Sequence, residues 1–370
     1  MLNELSNPNS LRRQDDSADA PVIAPMIAPM IAPMIAPMIA IVGATGAVGV
    51  ELMRCLEKRN FPAGALRLLA SARSAGSTLP YGADQVLVEE LRDDSFAGVD
   101  VALFSAGATI SRRYAPIAVA AGAMVVDNSS AFRMQADVPL VVPEVNGATL
   151  AGHNGIVANP NCVAAIMTMA LAPLHRAATI RRVFAATYQS ASGAGAAAME
   201  ELRQATAAHL EDRPFEPKVL PHPYAFNLFS HNADVDGESG YNGEELKAAA
   251  ETRRILDMPY LPIGITCVRV PVLRAHSIAL SVEFERSVSP DEARNLLAAA
   301  PGVQVVDDRA ANHFPMPSEA SGIDDVLVGR IRTDLGDPSG HTLALFVSGD
   351  QLLKGAALNA VQILEHLLGR

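Results

Sequence analysis

The sequence has no tryptophan, only three cysteines and an aromatic content of 5%. The cysteines stand far apart, at positions 55, 162 and 267, so they form neither a disulfide framework nor the paired spacing of a metal site. Basic residues are also scarce: 29 Lys and Arg against 40 Asp and Glu give a formal charge of −11, which disfavours broad nucleic-acid binding. We therefore expect a cytoplasmic protein with no metal and no nucleic-acid partner.

The first forty residues lack the pattern of a folded segment. Residues 1–20 are polar, and an Ile-Ala-Pro-Met repeat then runs from Pro21 to Met38. The repeat is apolar enough for a membrane span, but its prolines each cost roughly 3 kcal/mol inside a helix. Acidic residues upstream also disfavour a signal peptide. We expect residues 1–37 to form a disordered Pro-rich tail without a membrane role.

The remaining length predicts two domains, and the first opens with a strand, a glycine turn and a helix. Met38 to Val42 is a buried strand, the turn reads Gly-Ala-Thr-Gly-Ala-Val-Gly over 43–49, and Val50 to Arg59 is helical. Glycines 43, 46 and 49 allow a tight turn, the approach of a pyrophosphate and close helix packing. This order predicts a dinucleotide site, and a purely structural turn is the alternative.

Further strands over 65–70, 99–104 and 123–127 predict a parallel, Rossmann-type sheet. Ligands of such sheets lie beyond the carboxyl ends of the strands, so Ser105 and Ala106 should line the cleft. The second strand is followed by Arg73 and Ser74, without the acid that holds an NAD ribose. This favours the 2′-phosphate of NADP(H), unless Arg73 is only a solvated loop charge.

A cysteine stands where a strand meets a helix. Residues 156–158 are strand-like, Asn-Pro-Asn follows at 159–161, and an apolar helix runs over 163–174. Asn161 suits the N-cap, which places Cys162 in the first helical turn. The N–H groups there stabilise anions, so we expect a pKa below that of free cysteine and an oxyanion site. The alternative is a buried, inert thiol.

Polar residues at other strand ends are candidates for the same cleft. Arg133 follows a polar run and suits a phosphate, although a surface role is equally open. Gln189 ends a strand over 182–189, where it suits an acyl group, and Ser192-Gly193 beyond it suits a nicotinamide. A flexible connector is the competing interpretation. The C-terminal helix should return to the nucleotide domain, with Gln351 near the cofactor.

Charged residues in the second half offer further candidates. Glu244 and Lys247 share a helix face, either as a surface ion pair or as partners of an ammonium and a phosphate. Arg269 stands among β-branched residues and therefore needs a carboxylate from protein or substrate. His276, between two strands, suits an acid or base, or a structural role.

Taken together, these segments resemble aspartate-semialdehyde dehydrogenase over roughly residues 38–370. The matching motifs are GATGAVG (43–49), LASARSAG (69–76), LFSAG (103–107), DNSSAFRM (127–134), PLVVPEVN (139–146), NPNC (159–162), YQSASGAG (188–195), EELK (244–247), CVRVPVLRAHS (267–277) and GDQLLKGAA (349–357). Their number and order make the resemblance specific. It implies an α/β chain with an NADP-binding domain over 38–158, completed by residues 350–370, and an α+β catalytic and dimerisation domain over 159–349.

The resemblance also implies residue roles and a reaction. Cys162 would be the acylated nucleophile, His276 the acid/base and Gln189 the group that orients the thioester. The substrate-binding residues would be Arg269 for the carboxylate, Glu244 for the amino group, Arg133 and Lys247 for the phosphate, and also Asn161. The cofactor-binding residues would be Gly43, Thr45, Gly46, Ala47, Val48, Gly49, Arg73, Ser74, Ser105, Ala106, Ser192, Gly193 and Gln351. A homodimer would convert L-aspartyl-4-phosphate to aspartate semialdehyde with NADPH, for lysine, diaminopimelate, threonine, methionine and isoleucine biosynthesis.

Two features depart from the family pattern, and two rival interpretations stay open. Val163 follows the nucleophile where relatives commonly carry Ser or Thr, and the Pro-rich tail has no counterpart. An N-acetyl-γ-glutamyl-phosphate reductase would share the chemistry but is expected to carry Pro-Gly-Cys-Tyr at the nucleophile. A catalytically silent paralogue is expected to have lost Cys162 or His276, and both are present.

Overall fold

The computed structural model describes residues 37–62 and 66–369. The predicted disordered tail therefore lies, except for Pro37, outside the described residues. Within the described part, no helix is long and apolar enough to cross a membrane. The predicted α/β class is confirmed, because the described residues form two seven-stranded sheets whose strands alternate with helices along the chain.

The first sheet orders its strands β3-β4-β2-β1-β5-β6-β7 within the described residues. Its strands are β1 (Ile39–Val42), β2 (Leu66–Ala70), β3 (Thr78–Tyr81), β4 (Asp84–Glu90), β5 (Val101–Phe104), β6 (Met124–Asp127) and β7 (Ile156–Ala158). The accompanying helices are α1 (Ala47–Lys58), α2 (Ala108–Ala120) and α3 (Pro143–Asn146). All neighbours are parallel except β3 and β4. The strand order reverses at β1, so a crevice forms beyond the ends of β1 and β5.

The glycine turn connects β1 to α1 with close backbone contacts. Gly43 has a φ of +88°, and a Cβ there would lie 2.8 Å from the carbonyl oxygen of Ser105. A Cβ on Gly49 would lie 2.3 Å from the carbonyl oxygen of Gly43, so only glycine lets α1 approach the turn. The helix begins at Ala47, three residues before the predicted start, because Gly46 already occupies the N-cap position.

The second sheet orders its strands β12-β13-β14-β11-β8-β10-β9 in the part of the chain described. The strands are β8 (Ile180–Gln189), β9 (Phe229–Ser230), β10 (Ile263–Arg269), β11 (His276–Phe284), β12 (Val303–Val305), β13 (Val326–Thr333) and β14 (Thr342–Gly349). The helices are α4 (Cys162–Ala177), α5 (Ala196–Leu210), α6 (Gly243–Ile255), α7 (Pro290–Ala298) and α8 (Pro317–Ala320). β8 lies parallel to β10 and antiparallel to β11.

The long helices of the second domain cover one face of its sheet, and on the other face the short α8 covers only the end around Leu327. Helices α4, α6 and α7 pack on the first face around one apolar core. On the opposite face β8 exposes every second side chain, including Phe184 and Tyr188. An exposed aromatic row on a sheet face is typical of an association surface.

The C-terminal segment packs against the first domain. A π-helical turn, Leu353–Ala357, leads into α9 (Leu358–Leu367), and both share an apolar cluster with β1 and α1. An ion-pair cluster also joins the domains: Arg274 bonds Glu51 of α1 at 2.8 Å and the fully buried Asp350 at 2.6 Å. The helix that follows the glycine turn is thus connected to the C-terminal segment by apolar contacts and to the second domain by this ion-pair cluster.

Candidate active site

A cavity of about 260 Å³ lies where the two domains meet. The predicted residues on its wall are Val48, Arg133, Asn161, Cys162, Gln189, Ser192, Gly193, Glu244, Arg269 and Gln351. The wall also contains Asn128, Pro160, His231, Leu352, Gly355 and Ala356. Val48 comes from the first turn of α1 and Cys162 from the first turn of α4, so the nucleotide turn and the cysteine share one chamber.

The turn before Cys162 is fixed by Asn161, as the sequence predicts. Its side-chain oxygen accepts hydrogen bonds from the backbone N–H groups of Val163 at 2.9 Å and Ala164 at 3.4 Å. This N-cap starts α4 at Cys162. Val163 is fully buried in the apolar core. Gly355 packs closely against Cys162, because a Cβ on Gly355 would lie 2.8 Å from the Cβ of Cys162.

The expected low pKa of Cys162 is wrong for the unliganded site. Although part of the residue faces the cavity, protein encloses its thiol. Burial, together with the charge of Glu244, raises the pKa of Cys162 to about 12. Arg269, Arg133 and the N–H of Val163 act in the opposite direction but do not compensate. Desolvation of the thiolate therefore outweighs the helix N-terminus.

Arg269 presents a buried positive charge to the cavity. Its guanidinium donates to the carbonyl oxygen of Ser190 at 2.9 Å and the side chain of Asn232 at 3.1 Å, and contacts Nε2 of His231 at 2.8 Å. Among the described residues no carboxylate lies within ion-pair distance of it. Since a buried charge requires a counter-charge, the arrangement suits an anionic ligand.

Glu244 presents the opposite charge. Its carboxylate accepts hydrogen bonds from the side chains of Asn161 at 3.0 Å and Gln189 at 3.1 Å. Burial alone would raise its pKa, yet these bonds and the charges nearby hold the pKa below its ordinary value. Burial lowers the pKa of His231, and its Nε2 accepts from the guanidinium of Arg269, so the ring is neutral. The hydrogen bonds and Arg269 therefore keep Glu244 ionised.

The two predicted phosphate ligands differ in position. Arg133 is buried on the cavity wall, where it bonds the carbonyl oxygens of Asn159 and Asn128 and pairs with Glu251 at 3.2 Å. Two of its five N–H donors remain for a ligand. Lys247 is exposed on α6 and lies outside the cavity wall, although its charge acts on His231.

His276 is the first residue of β11, and not part of a connection between strands as predicted. It is fully buried directly behind the cavity wall, where Gly193 separates it from the chamber. A Cβ on Gly193 would lie 3.0 Å from Nε2 of His276 and 2.9 Å from Nη1 of Arg269. Burial and the charge of Arg269 hold the pKa of His276 well below its ordinary value, so the ring is neutral.

The predicted cofactor residues surround the crevice beyond β1 and β5. Thr45 and Gly46 are exposed ahead of α1, and Ser105 and Ala106 follow β5 directly. Free N–H groups at the start of α1 suit a pyrophosphate, and the glycine contacts described above leave room for it. Arg73 is exposed and forms no hydrogen bond or ion pair with a described residue, so it is available to a ligand. Within residues 37–62 and 66–369 no cluster of His, Cys, Asp and Glu suits a metal ion.

Several residues of the site escape sequence reasoning. His231 lies in a long irregular segment without a local pattern, and its Nε2 contacts the guanidinium of Arg269. Glu251 lies in the same helix as Glu244, two turns later, and accepts from the backbone N–H of Asn161 at 2.5 Å. The seven-residue spacing of the two acids on one helix face was the available signal.

We predict that Cys162 of the unliganded protein alkylates slowly near neutral pH. With a pKa of about 12, its thiolate fraction at pH 8 is roughly 10⁻⁴, against about a quarter for a free cysteine. Labelling by iodoacetamide, followed by peptide mass spectrometry, should accelerate about tenfold per pH unit from pH 8 to 11. The urea-unfolded chain is the control, and a folded-state plateau below pH 9 would contradict the prediction.

Comparison with known proteins agrees with this geometry. Residues 38–153 match the family described as semialdehyde dehydrogenase, NAD binding domain, and residues 171–354 match semialdehyde dehydrogenase, dimerisation domain. The aspartate-semialdehyde dehydrogenase of Synechocystis sp. is 51% identical over 331 residues, which cover 90% of this chain and 97% of the relative. That of Bacillus subtilis is 46% identical over 336 residues, covering 89% and 96%.

Solved structures give the same result. Aspartate semialdehyde dehydrogenase II from Vibrio cholerae, determined in complex with ASA, superposes with a TM-score of 0.85 at 40% identity. The match covers 90% of this chain and 98% of that one. The chain therefore belongs to the aspartate-semialdehyde dehydrogenase family, with an NAD(P)-binding domain followed by a dimerisation domain.

Proposed function

We propose that the protein catalyses the reversible, NADP-dependent reductive dephosphorylation of L-aspartyl-4-phosphate to L-aspartate 4-semialdehyde. The observation that carries the proposal is the charge pattern around Cys162. One chamber holds a cysteine at a helix N-terminus, a buried arginine with no carboxylate partner in the described part of the chain, and a buried ionised glutamate. An amino acid carries a carboxylate and an ammonium, which match this pair.

The substrate is held by charges that the protein leaves available. Arg269 binds the α-carboxylate, because its own partners are neutral groups. Glu244 binds the ammonium, while Asn161 and Gln189 orient its carboxylate. Arg133 binds the phosphate from the wall of the chamber, and Lys247, exposed on α6 outside that wall, adds a second positive charge for it. This arrangement directs the acyl carbon of the side chain towards Cys162.

Covalent catalysis divides the reaction into two steps. The sulfur of Cys162 attacks the acyl phosphate and phosphate leaves, so a thioester forms with Gln189 beside its carbonyl group. NADPH, when bound, supplies the hydride that reduces this thioester. His276 faces the reacting carbonyl oxygen past Gly193 and stabilises the charge that develops there. The N–H groups at the start of α4 contribute to the same oxygen site.

NADP(H) is favoured over NAD(H) by the residues beyond β2. Arg73 is exposed and unpaired among the described residues, and Ser74 lies beside it. No acidic residue occupies positions 71–76, where an NAD enzyme would hold the ribose hydroxyls. A guanidinium and a hydroxyl suit a 2′-phosphate instead. The reaction belongs in the cytoplasm, in the aspartate-derived pathway to lysine, diaminopimelate, threonine, methionine and isoleucine.

The active form is a homodimer joined through the exposed face of the second sheet, which carries Phe184 and Tyr188. A groove of about 1140 Å³ on this face is bordered by Phe184, Thr266 and Leu335. Phe184 is 52% exposed and Leu335 is fully exposed in the single chain. A second copy on this groove would bury these apolar groups, which are otherwise costly to leave in water.

The proposed reaction is tested by phosphate-dependent reduction of NADP with aspartate semialdehyde. Cys162→Ala should lose roughly 10⁴-fold or more of kcat, because the covalent route disappears. Cys55→Ala, which changes a buried thiol of α1, should keep its activity. Turnover in the Cys162→Ala variant, or a preference for N-acetyl-γ-glutamyl semialdehyde in the wild type, would refute the proposal.

The cofactor preference is tested by Arg73→Ala. Loss of a charged hydrogen bond to the 2′-phosphate, worth about 1.5–3 kcal/mol, should raise KM for NADPH by roughly 10- to 100-fold. The KM for NADH should change little, since NADH lacks that phosphate. Arg203→Ala, on the exposed side of α5, is the matched control. Equal losses for both cofactors would exclude the role of Arg73.

The dimer is tested by sedimentation equilibrium of the full chain. The wild type should sediment as a dimer, and Phe184→Asp should shift it towards monomer because a charge would enter the apolar interface. Leu87→Asp alters an equally exposed apolar residue of β4 in the first domain and should leave the dimer intact. A monomeric wild type, or dissociation by the Leu87 variant alone, would contradict the assignment of this face.

A further inference from the structure

A chain of hydrogen bonds behind the cavity ends on the Nδ1 atom of His276. It begins at Gln351, whose side-chain oxygen accepts the backbone N–H of Ala275 at 2.9 Å. That contact fixes the orientation of the amide, so its nitrogen donates to the hydroxyl of Ser192. The Ser192 hydroxyl is 2.9 Å from that of Ser190, which in turn is 3.1 Å from Nδ1 of His276.

The direction of these bonds follows from the first one. Since the Ser192 hydroxyl oxygen accepts a hydrogen bond from Gln351, its own hydroxyl proton meets an acceptor only when it points to Ser190. Ser190 then directs its proton at Nδ1 of His276. The backbone N–H of Ser190 donates to the same atom at 3.0 Å, and this bond cannot be reversed. Two donors therefore converge on Nδ1, which must carry a lone pair.

The other ring nitrogen has no such partner. Nε2 is buried without a hydrogen-bond partner in the described part of the chain. It lies behind Gly193, beside Nη1 of Arg269. A neutral imidazole with a lone pair on Nδ1 carries its proton on Nε2. We infer that His276 enters the reaction as an Nε2–H hydrogen-bond donor, and that Ser190 is the positioning residue that fixes this tautomer.

The inference rests on the proposed function and assigns the protons of that reaction. An Nε2 that already holds a proton cannot accept the thiol proton of Cys162. The proton therefore leaves with the phosphate: the acyl phosphate and the thiol give the thioester and HPO₄²⁻, which balances atoms and charge. In the reduction step Nε2–H donates to the carbonyl oxygen as it becomes negative, and keeps its proton when the aldehyde and the Cys162 thiolate form.

Ser190 also connects this histidine to the anion-binding arginine. Its carbonyl oxygen accepts from Arg269 at 2.9 Å while its N–H donates to His276 at 3.0 Å. One peptide segment thus sets both the guanidinium that holds the substrate carboxylate and the donor that meets the reacting oxygen. Ser190 has a φ of −72° and a ψ of 165°, values that proline also adopts.

Nitrogen NMR of the full chain labelled with ¹⁵N-histidine tests the tautomer without any need for activity. The chain has nine histidines, so the signals of His276 are assigned by their loss in His276→Gln. We expect an unprotonated Nδ1 and a protonated Nε2 from pH 6 to 9. A protonated Nδ1, or an imidazolium at pH 7, would overturn the inference even if the enzyme assay supports the proposed function.

Two variants at Ser190 test the positioning role. Ser190→Pro removes the hydroxyl and the N–H, so the Nδ1–H tautomer should appear and kcat should fall roughly tenfold or more with little change in KM. Ser190→Ala removes the hydroxyl but keeps the N–H, so its nitrogen spectrum should still show the wild-type tautomer. A folded Ser190→Pro with the wild-type tautomer would refute the role. The spectra of the wild type and Ser190→Ala decide the tautomer even where the proline variant does not fold.

Discussion

The position of the nucleophile depends on a buried carboxylate, Glu251. One of its oxygens pairs with Arg133 at 3.2 Å, and the other accepts the backbone N–H of Asn161 at 2.5 Å. Two turns earlier on the same helix, Glu244 accepts the side chain of Asn161. Because a buried ion pair that loses one partner leaves an uncompensated charge, these contacts are strongly interdependent. Helix α6 thus holds Asn161, which caps the helix of Cys162, and the carboxylate of Glu251 also fixes Arg133.

The parts of the site that the sequence predicts are those with local physical causes. Gly49 is required because a Cβ there would meet the carbonyl oxygen of Gly43 in the same turn, and Asn161 caps the helix that follows it directly. Strand ends over 104–106 and at Gln189 were predictable because apolar runs stop there. Strands β3 and β4 are not predicted, because their residues are mixed in polarity and largely exposed. Helix α7 was missed despite Ser289 at its N-cap, a signal that was present.

The remaining parts depend on contacts between distant segments. No local pattern could place Ser190 beside His276, 86 positions later, or His231 beside Arg269. The pKa of Cys162 was misjudged for the same reason. The helix start that favours a thiolate is visible in the sequence, whereas the protein that encloses the thiol comes from both domains and is not. Desolvation is a property of the assembled site.

These contacts together imply that the residues that bind the substrate are charged, whereas the two residues that react with it are neutral. Arg269, Glu244 and the Arg133–Glu251 pair are charged and held in place by hydrogen bonds, whereas Cys162 and His276 are both neutral at pH 7. A thiolate–imidazolium pair would have to be stabilised at a chamber whose wall already presents the charges of Glu244, Arg133 and Arg269. Neutral reagents avoid that cost, because the substrate itself brings the anionic phosphate that accepts the thiol proton. The enzyme then develops its reactive charge only when the substrate occupies the site, so no thiolate is present beforehand to undergo side reactions.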